Sequence, residues 1–226
     1  MDRPALLSEL AKWIERQHLG RPLRVGVDGR TASGKTTLAD ELSGLLAKRG
    51  RSVIRTSVDG FHRPRVERYA RGRHSAEGYY HDARDLPAIV ALLLAPLWPG
   101  GNRRYRTASF DLVADLPLAQ EPESAVVDAI LIVDGTFLQR PELRDYWDVA
   151  LFVRASAATA EARGLSRDAA KLGGEAAARD LYAQRYRPAY ALNEQIAEPE
   201  ANCDAIIDND NLDQPQLHIR AKARSI

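Results

Sequence analysis

The stretch LRVGVDGRTASGKT, residues 23–36, constrains the fold of this chain more than any other part of it. Leu23–Asp28 reads as a short buried strand, and residues 36–49 read as the helix that follows. Between them, Gly29, Arg30, Thr31, Ala32, Ser33, Gly34, Lys35 and Thr36 match the spacing GxxxxGK followed by Ser or Thr. A glycine-rich turn of that length between a strand and a helix makes a phosphate cradle. Successive backbone N–H groups turn inward, and the helix terminus adds roughly half a positive charge. Lys35 is then placed to reach the β- and γ-phosphates and the Thr36 hydroxyl to ligate Mg²⁺, with Thr37 beside them in the cofactor-binding set. The motif specifies a nucleoside triphosphate, taken as ATP. It does not say what becomes of the phosphate.

Strand and helix patterns alternate after the cradle. Residues 52–57, 129–133, 149–153 and 205–207 are short apolar runs rich in β-branched residues. Residues 4–18, 84–94, 155–172 and 175–198 favour helix, with Gly173 and Gly174 as a break and a kink expected at Pro188. Residues 105–113 read as part of a hairpin. This alternation predicts an α/β fold, three layers with a mainly parallel sheet covered by helices on both faces, plus a substrate hairpin and a helical lid.

A chain of 226 residues that is 45% hydrophobic buries one core of ordinary size, so residues 1–226 are expected to form a single domain. Its 32 basic and 31 acidic residues leave a net charge of +1, which provides no global field for nucleic acid or an anionic membrane. Residues 1–10 lack the apolar core of a secretory leader, and the longest apolar run, 88–98, is short and contains Pro96. With one cysteine, Cys203, the chain has no internal disulfide framework. The expected setting is cytoplasmic and the expected partner a small molecule, with homo-oligomerisation left open.

Two carboxylates stand at strand ends. Asp134 closes ILIVDG, where an acid orients Mg²⁺ directly or through water. Asp59 closes the strand in SVDGFH and is expected to face the same crevice, since open α/β sheets bind ligands beyond the carboxyl ends of their strands. There it could accept the proton of an attacking hydroxyl; a turn or cap role is the alternative. Arg163 and Arg167 share one helix face in RGLSRD, as a lid over a transferring phosphoryl group requires, or as a solvated face would show. Arg63, Arg65, Arg68, Arg71 and Arg73 form a basic stretch around Tyr69, read as a loop over the substrate mouth or as solvated charge. His62, His74 and His81 lack metal-ligand spacing, which leaves them surface or substrate-loop roles.

Taken in order, VDGRTASGKTTLADEL, SVDGFHRPR, EGYYHDARDL, YRTASFD, ILIVDGTFLQRPELRDYWD, RGLSRD, RYRPAY and AIIDND resemble the phosphoribulokinase/uridine kinase family, in particular its uridine kinase-like members. The resemblance implies Lys35 and Thr36 on ATP and Mg²⁺, Asp59 as proton acceptor, and Arg163 and Arg167 in the lid. It places Tyr79, Tyr80, Phe110 and Asp111 near the acceptor and the loop around Asn209 against the adenine. There are departures from the family pattern. Asp134-Gly135 stands where uridine kinases carry Glu-Gly, and Glu175 stands where they carry a base, with Arg179 as a substitute. Asp115 stands where their hairpin histidine reads the pyrimidine. Asp115 only accepts hydrogen bonds when ionised, so a different acceptor is expected to face it.

The implied activity is transfer of the ATP γ-phosphoryl group to a hydroxyl of a small molecule, a nucleoside first. Pantothenate or a phosphorylated sugar is the alternative, and a noncatalytic nucleotide switch a more distant one. The chain lacks the NKxD motif that reads guanine in switches.

Overall fold

The structure, a computed structural model, describes residues 1–220. Its core is β1, Leu23–Asp28, buried along its whole length. On one side of it runs β3, Ile130–Asp134, and on the other β4, Val149–Arg154, both parallel. Beyond β3 lies β2, Val53–Ser57, with Ser57 opposite Asp134, and beyond β4 lies β5, Ala205–Asp208. The sixth strand, β6, Gln216–Ile219, adds antiparallel at the edge, giving the order β6-β5-β4-β1-β3-β2. This is the expected α/β architecture with a mostly parallel sheet, and its register brings the carboxyl ends of β1, β2 and β3 to the same edge of the sheet. Sequence patterning did not find β6; only alternate side chains of this edge strand are sheltered, so it lacks the apolar run of a central strand.

Helix α1, Arg3–Glu15, starts on Asp2, whose carboxylate accepts from Ala5 N–H, and buries Leu6, Leu10 and Ile14. Helix α2, Lys35–Lys48, packs beside it against the same face of the sheet, through Leu38, Leu42 and Leu46. The opposite face is covered by residues 86–97 and the loop after β3, including Leu93, Leu97, Leu138 and Trp147. Residues 84–94 do not form the single helix expected. Asp85 caps a short helical segment, Leu86–Ile89, which opens into a π-helical turn, Val90–Leu94, and tightens at Ala95–Leu97 beside Pro96.

The hairpin is also split. Arg104–Tyr105 pairs with Glu123–Ser124, while Phe110–Asp111 pairs with Leu116–Pro117 around a turn containing Asp115 at φ +57°.

Helix α3, Ala157–Leu172, ends on the left-handed Gly173, and α4, Glu175–Leu181, folds back on it. Gly164 permits this contact, since a Cβ there would overlap the Tyr182 hydroxyl. A π-helical turn, Tyr182–Tyr186, leads into α5, Arg187–Ala197. Pro188 sits in the first turn of α5, where a missing N–H does no harm, so the irregularity precedes it. Among the described residues, no helix is long and apolar enough to cross a membrane.

Candidate active site

The loop between β1 and α2 is fixed from below by Asp28, a carboxylate that sequence reasoning passed over. Its oxygens accept the N–H groups of Gly29 at 2.7 Å, Phe137 at 3.1 Å and Gln139 at 2.9 Å, tying the loop after β3 to the phosphate loop. Burial pushes its carboxyl up to about 6, against those three hydrogen bonds and the field of Lys35. The available signal was a charged residue closing an otherwise apolar strand, a position that requires partners. The turn itself needs left-handed backbone at Ala32 and Gly34, and a Cβ on Gly34 would run into the Asn209 amide.

Lys35 donates to the Arg30 carbonyl at 2.8 Å. Burial pushes its ammonium down to about 8, while Asp28, Asp134 and Asp59 pull it back up. A group whose charge is held this way gains from an arriving polyphosphate.

The Thr36 hydroxyl donates to Asp134 Oδ2 at 2.6 Å, across 98 residues of sequence. Asp134 Oδ1 lies 2.7 Å from Arg55 Nη2 but makes no hydrogen bond, although it is buried. A buried carboxylate beside a hydroxyl is a donor set that fits Mg²⁺, which takes one or two protein oxygens and completes its shell with phosphates and water. Thr36 and Asp134 are the residues that would hold it. Arg55, which also reaches Asp40 Oδ1 at 2.8 Å, is an unforeseen neighbour of this site.

Asp59 lies in the 3₁₀ turn Val58–Phe61 just after β2, and its side chain is 64% exposed. Arg84 approaches its Oδ1 at 2.6 Å, and this guanidinium holds the carboxyl below the usual carboxylate range, helped by His62 and Lys35. The mutual fields of Asp59 and Lys35 put the proton-acceptor candidate within electrostatic reach of the phosphate loop. The His62 ring nitrogen Nδ1 is 2.8 Å from the Asp59 carbonyl, and burial together with Arg84 pushes the imidazole down to about 4.

The residues assigned to the acceptor side separate. Tyr79 stays close to the loop after β3, with its hydroxyl 3.4 Å from Thr136 Oγ1. Tyr80 leaves the acceptor set: it is 2% exposed and packs edge-on to Phe137 in the core. Phe110 is buried in its ladder, and Asp111 accepts from Val113 and Ala114 N–H, which makes it a turn residue. Asp115 does not present free oxygens to a base. It pairs with Arg68 at 2.6 Å and accepts from Arg65 N–H at 3.0 Å, joining the hairpin to the arginine-rich segment.

On the lid side, Arg163 donates to the carbonyls of Asn209 and Asp210, both at 2.9 Å, while Arg167 pairs with Asp168. The like charge of Arg167 nevertheless reaches Lys35. Asn209 is buried under the phosphate loop, where its amide donates to the Ser33 carbonyl at 2.7 Å. Arg30 stacks on Tyr190, and Thr31 lines a small cleft beside it. Arg179 lies on the neighbouring Glu175, both of them exposed.

No family model matches the chain. Uridine-cytidine kinase B of Dictyostelium discoideum is 30% identical over 157 residues, covering 69% of this chain and 62% of that protein. Pantothenate kinase of Streptomyces coelicolor is 31% identical over 148 residues, covering 60% of this chain and 44% of that protein. The chain therefore spans less than two thirds of the length of either relative. Among solved structures, a possible uridine kinase from Bacillus stearothermophilus superposes with a TM-score of 0.71 at 24% identity, covering 88% of this chain and 96% of that one. D-glycerate 3-kinase from Cryptococcus neoformans superposes with a TM-score of 0.59 at 18% identity, covering 84% of this chain and 89% of that one. At these identities the structures speak for the fold, and the sequence relatives carry the kinship. In sequence the chain is similar to uridine-cytidine kinase and pantothenate kinase, and in fold to uridine kinase-like P-loop kinases.

Proposed function

We propose that this protein transfers the γ-phosphoryl group of ATP to a hydroxyl of a small molecule, with a nucleoside as the acceptor the family resemblance favours. The observation that carries the proposal is the shared sheet edge. The phosphate loop and the Thr36–Asp134 pair lie beside Asp59, a carboxylate kept ionised by Arg84 at the end of the neighbouring strand. Lys35 and the loop N–H groups would hold the polyphosphate, and Arg167, whose charge reaches Lys35, would close over it. Asp59 would take the proton of the attacking hydroxyl at its carboxylate oxygen and hold that oxygen in line. Bound at Thr36 and Asp134, Mg²⁺ would neutralise charge on the transferring phosphates. The balanced charge and the single buried cysteine support a cytoplasmic site of action.

A second reading, an acidic acceptor such as pantothenate or a phosphorylated sugar, draws on the Asp115–Arg68 pair. Arg68 offsets the charge of Asp115 on the hairpin turn, and Arg63 and Arg65 belong to the same arginine-rich segment.

The experiment is a panel of nucleosides, hydroxy acids and sugar phosphates incubated with purified protein and Mg-ATP. A new phosphorylated product that requires one of them supports the proposal. ATP hydrolysis indifferent to every acceptor would favour a nucleotide switch instead.

A further inference from the structure

A cleft of about 360 Å³ opens beside the phosphate loop, lined by Ala32, Gly34 and Thr37 on one side and by Arg163, Asn209 and Leu212 on another. The rest of its lining is Arg3, the first residue of α1, with Glu41 of α2 and Arg167 of α3. Arg3 is anchored from two directions. Its Nε and Nη2 reach Glu41 Oε2 at 2.7 and 2.6 Å, and its Nη1 donates to Asn209 Oδ1 at 3.1 Å. Arg163, across the cleft, likewise has both terminal nitrogens on backbone carbonyls. Guanidinium groups pinned by their edges offer a ligand chiefly their flat faces, and a flat cation face stacks on an aromatic ring.

We propose that Arg3 is a nucleotide-binding residue that stacks on the base of the phosphate donor, so that α1 forms one wall of the base pocket. This rests on the donor reading above. The cleft begins at Thr37, immediately after the Lys35-Thr36 pair, so a base attached to phosphates in the loop lies within reach of it. Asn209 has its carbonyl oxygen on Arg3 and one amide N–H on Ser33, so its second amide N–H is the donor it keeps for a ligand. Flat-face contact with a base falls to Arg3 and Arg163, and apolar contact to Leu212.

The alternative role for Arg3 is a brace: through Asn209 it could merely hold the phosphate loop in shape. Two ligands separate the roles, ADP and inorganic tripolyphosphate, the second of which has no base. Affinities are measured by titration calorimetry on the 226-residue chain with Mg²⁺ present. Arg3→Ala is expected to weaken ADP about tenfold, the scale of one lost stacking contact, and to leave tripolyphosphate within about twofold. Arg3→Lys keeps the charge for Glu41 but removes the planar face, so it is expected to match Arg3→Ala and guards against a folding defect in either variant. Equal losses for both ligands would make Arg3 a brace and overturn the proposal. So would an ADP affinity that Arg3→Ala leaves unchanged or that Arg3→Lys restores. If the unmodified protein binds neither ligand, the donor reading itself fails. Binding of both with Arg3 silent removes only this inference.

Discussion

Arg84 Nη2 lies 2.6 Å from Asp59 Oδ1, joining the segment that leads into the far layer to the carboxylate at the end of β2. The pair does two things at once. It keeps Asp59 ionised, as a proton acceptor must be, and it fixes one oxygen while the other stays free.

Asp59→Asn is expected to lower acceptor-dependent phosphoryl transfer by roughly two to four orders of magnitude, the scale of general-base assistance, with ADP affinity nearly unchanged. Asparagine keeps the size but cannot take the proton. Parallel losses in nucleotide affinity and turnover would make Asp59 a structural residue. Arg84→Leu separates the field from the base. Because Arg84 depresses the Asp59 pKa, the ionised base is lost only as pH falls through that lowered value. Removing the guanidinium raises the pKa, so the acid limb of kcat/KM should move to higher pH. An unmoved limb would show that another group sets it.

Lys35→Ala is expected to reduce transfer by roughly a thousandfold or more while the protein stays folded, since cations on the transferring phosphates are worth that much. The buried ammonium is already pushed down to about 8, so its removal relieves a desolvation cost in the nucleotide-free state. Thermal melting without nucleotide and calorimetric titration with ADP check the two halves. A folded variant with near-normal transfer would sink the assignment of the loop.

The phosphate loop was legible in the sequence because its requirements are local: glycines where the backbone turns left-handed, then Lys35 and Thr36 on the first turn of a helix. Asp59 and Asp134 stood out for a similar reason, as charges that close strands, although Asp28, which closes β1 in the same way, was passed over. What escaped depends on distant partners. Arg84 and Asp59 are 25 residues apart, and nothing local marks one as the partner of the other. Arg55 sits in β2 as an ordinary charged residue until β3 brings Asp134 beside it. Tyr79 and Tyr80 are adjacent in sequence, and only the π-helical turn Gly78–Asp82 decides which of them enters the core. Asp115 was aligned to a base-reading position, but its conformation belongs to a turn whose register the ladder Phe110–Asp111 with Leu116–Pro117 determines.

Asp115→Ala tests that corrected placement. Arg68 is 5% exposed, with Nη1 on Asp115 and on the Arg63 carbonyl and Nε buried without a partner, so losing the carboxylate leaves a buried cation without its counter-ion. Breaking a fully buried pair costs about 3–5 kcal/mol, and the partial exposure of Asp115 reduces the expected loss to about 1–2 kcal/mol. Hydrogen exchange should accelerate first at the Arg65 amide, which donates to Asp115 directly. Unchanged exchange there, with unchanged stability, would mean the contact carries no weight.

Asp148 provides the clearest pH-dependent contribution to the fold. It precedes β4 and lies at the opposite end of the sheet from the phosphate loop. Its carboxylate accepts from Arg21 at 2.7 and 2.8 Å, and from the Arg24 side chain at 2.8 and 2.9 Å and backbone N–H at 2.9 Å. Arg24 is buried and stacks on Trp98 at 4.1 Å, so this cation needs its counter-ion in place. Burial alone would raise the Asp148 carboxyl, but the hydrogen bonds from Arg21 and Arg24 outweigh it and hold the group at about 2, below its ordinary 3.8. A depressed acid stabilises the fold while it is ionised in both states. That stability is present above pH 3.8 and is lost as pH falls toward about 2. The shift corresponds to about 2 kcal/mol. Asp148→Asn should therefore be destabilised by about 2 kcal/mol or more in urea unfolding at neutral pH, since Arg24 is left buried without its carboxylate. The gap to the unmodified protein should narrow as the pH drops below 3.8. A gap that stays constant from pH 7 to pH 3 would show that the aspartate contributes through shape and not through charge.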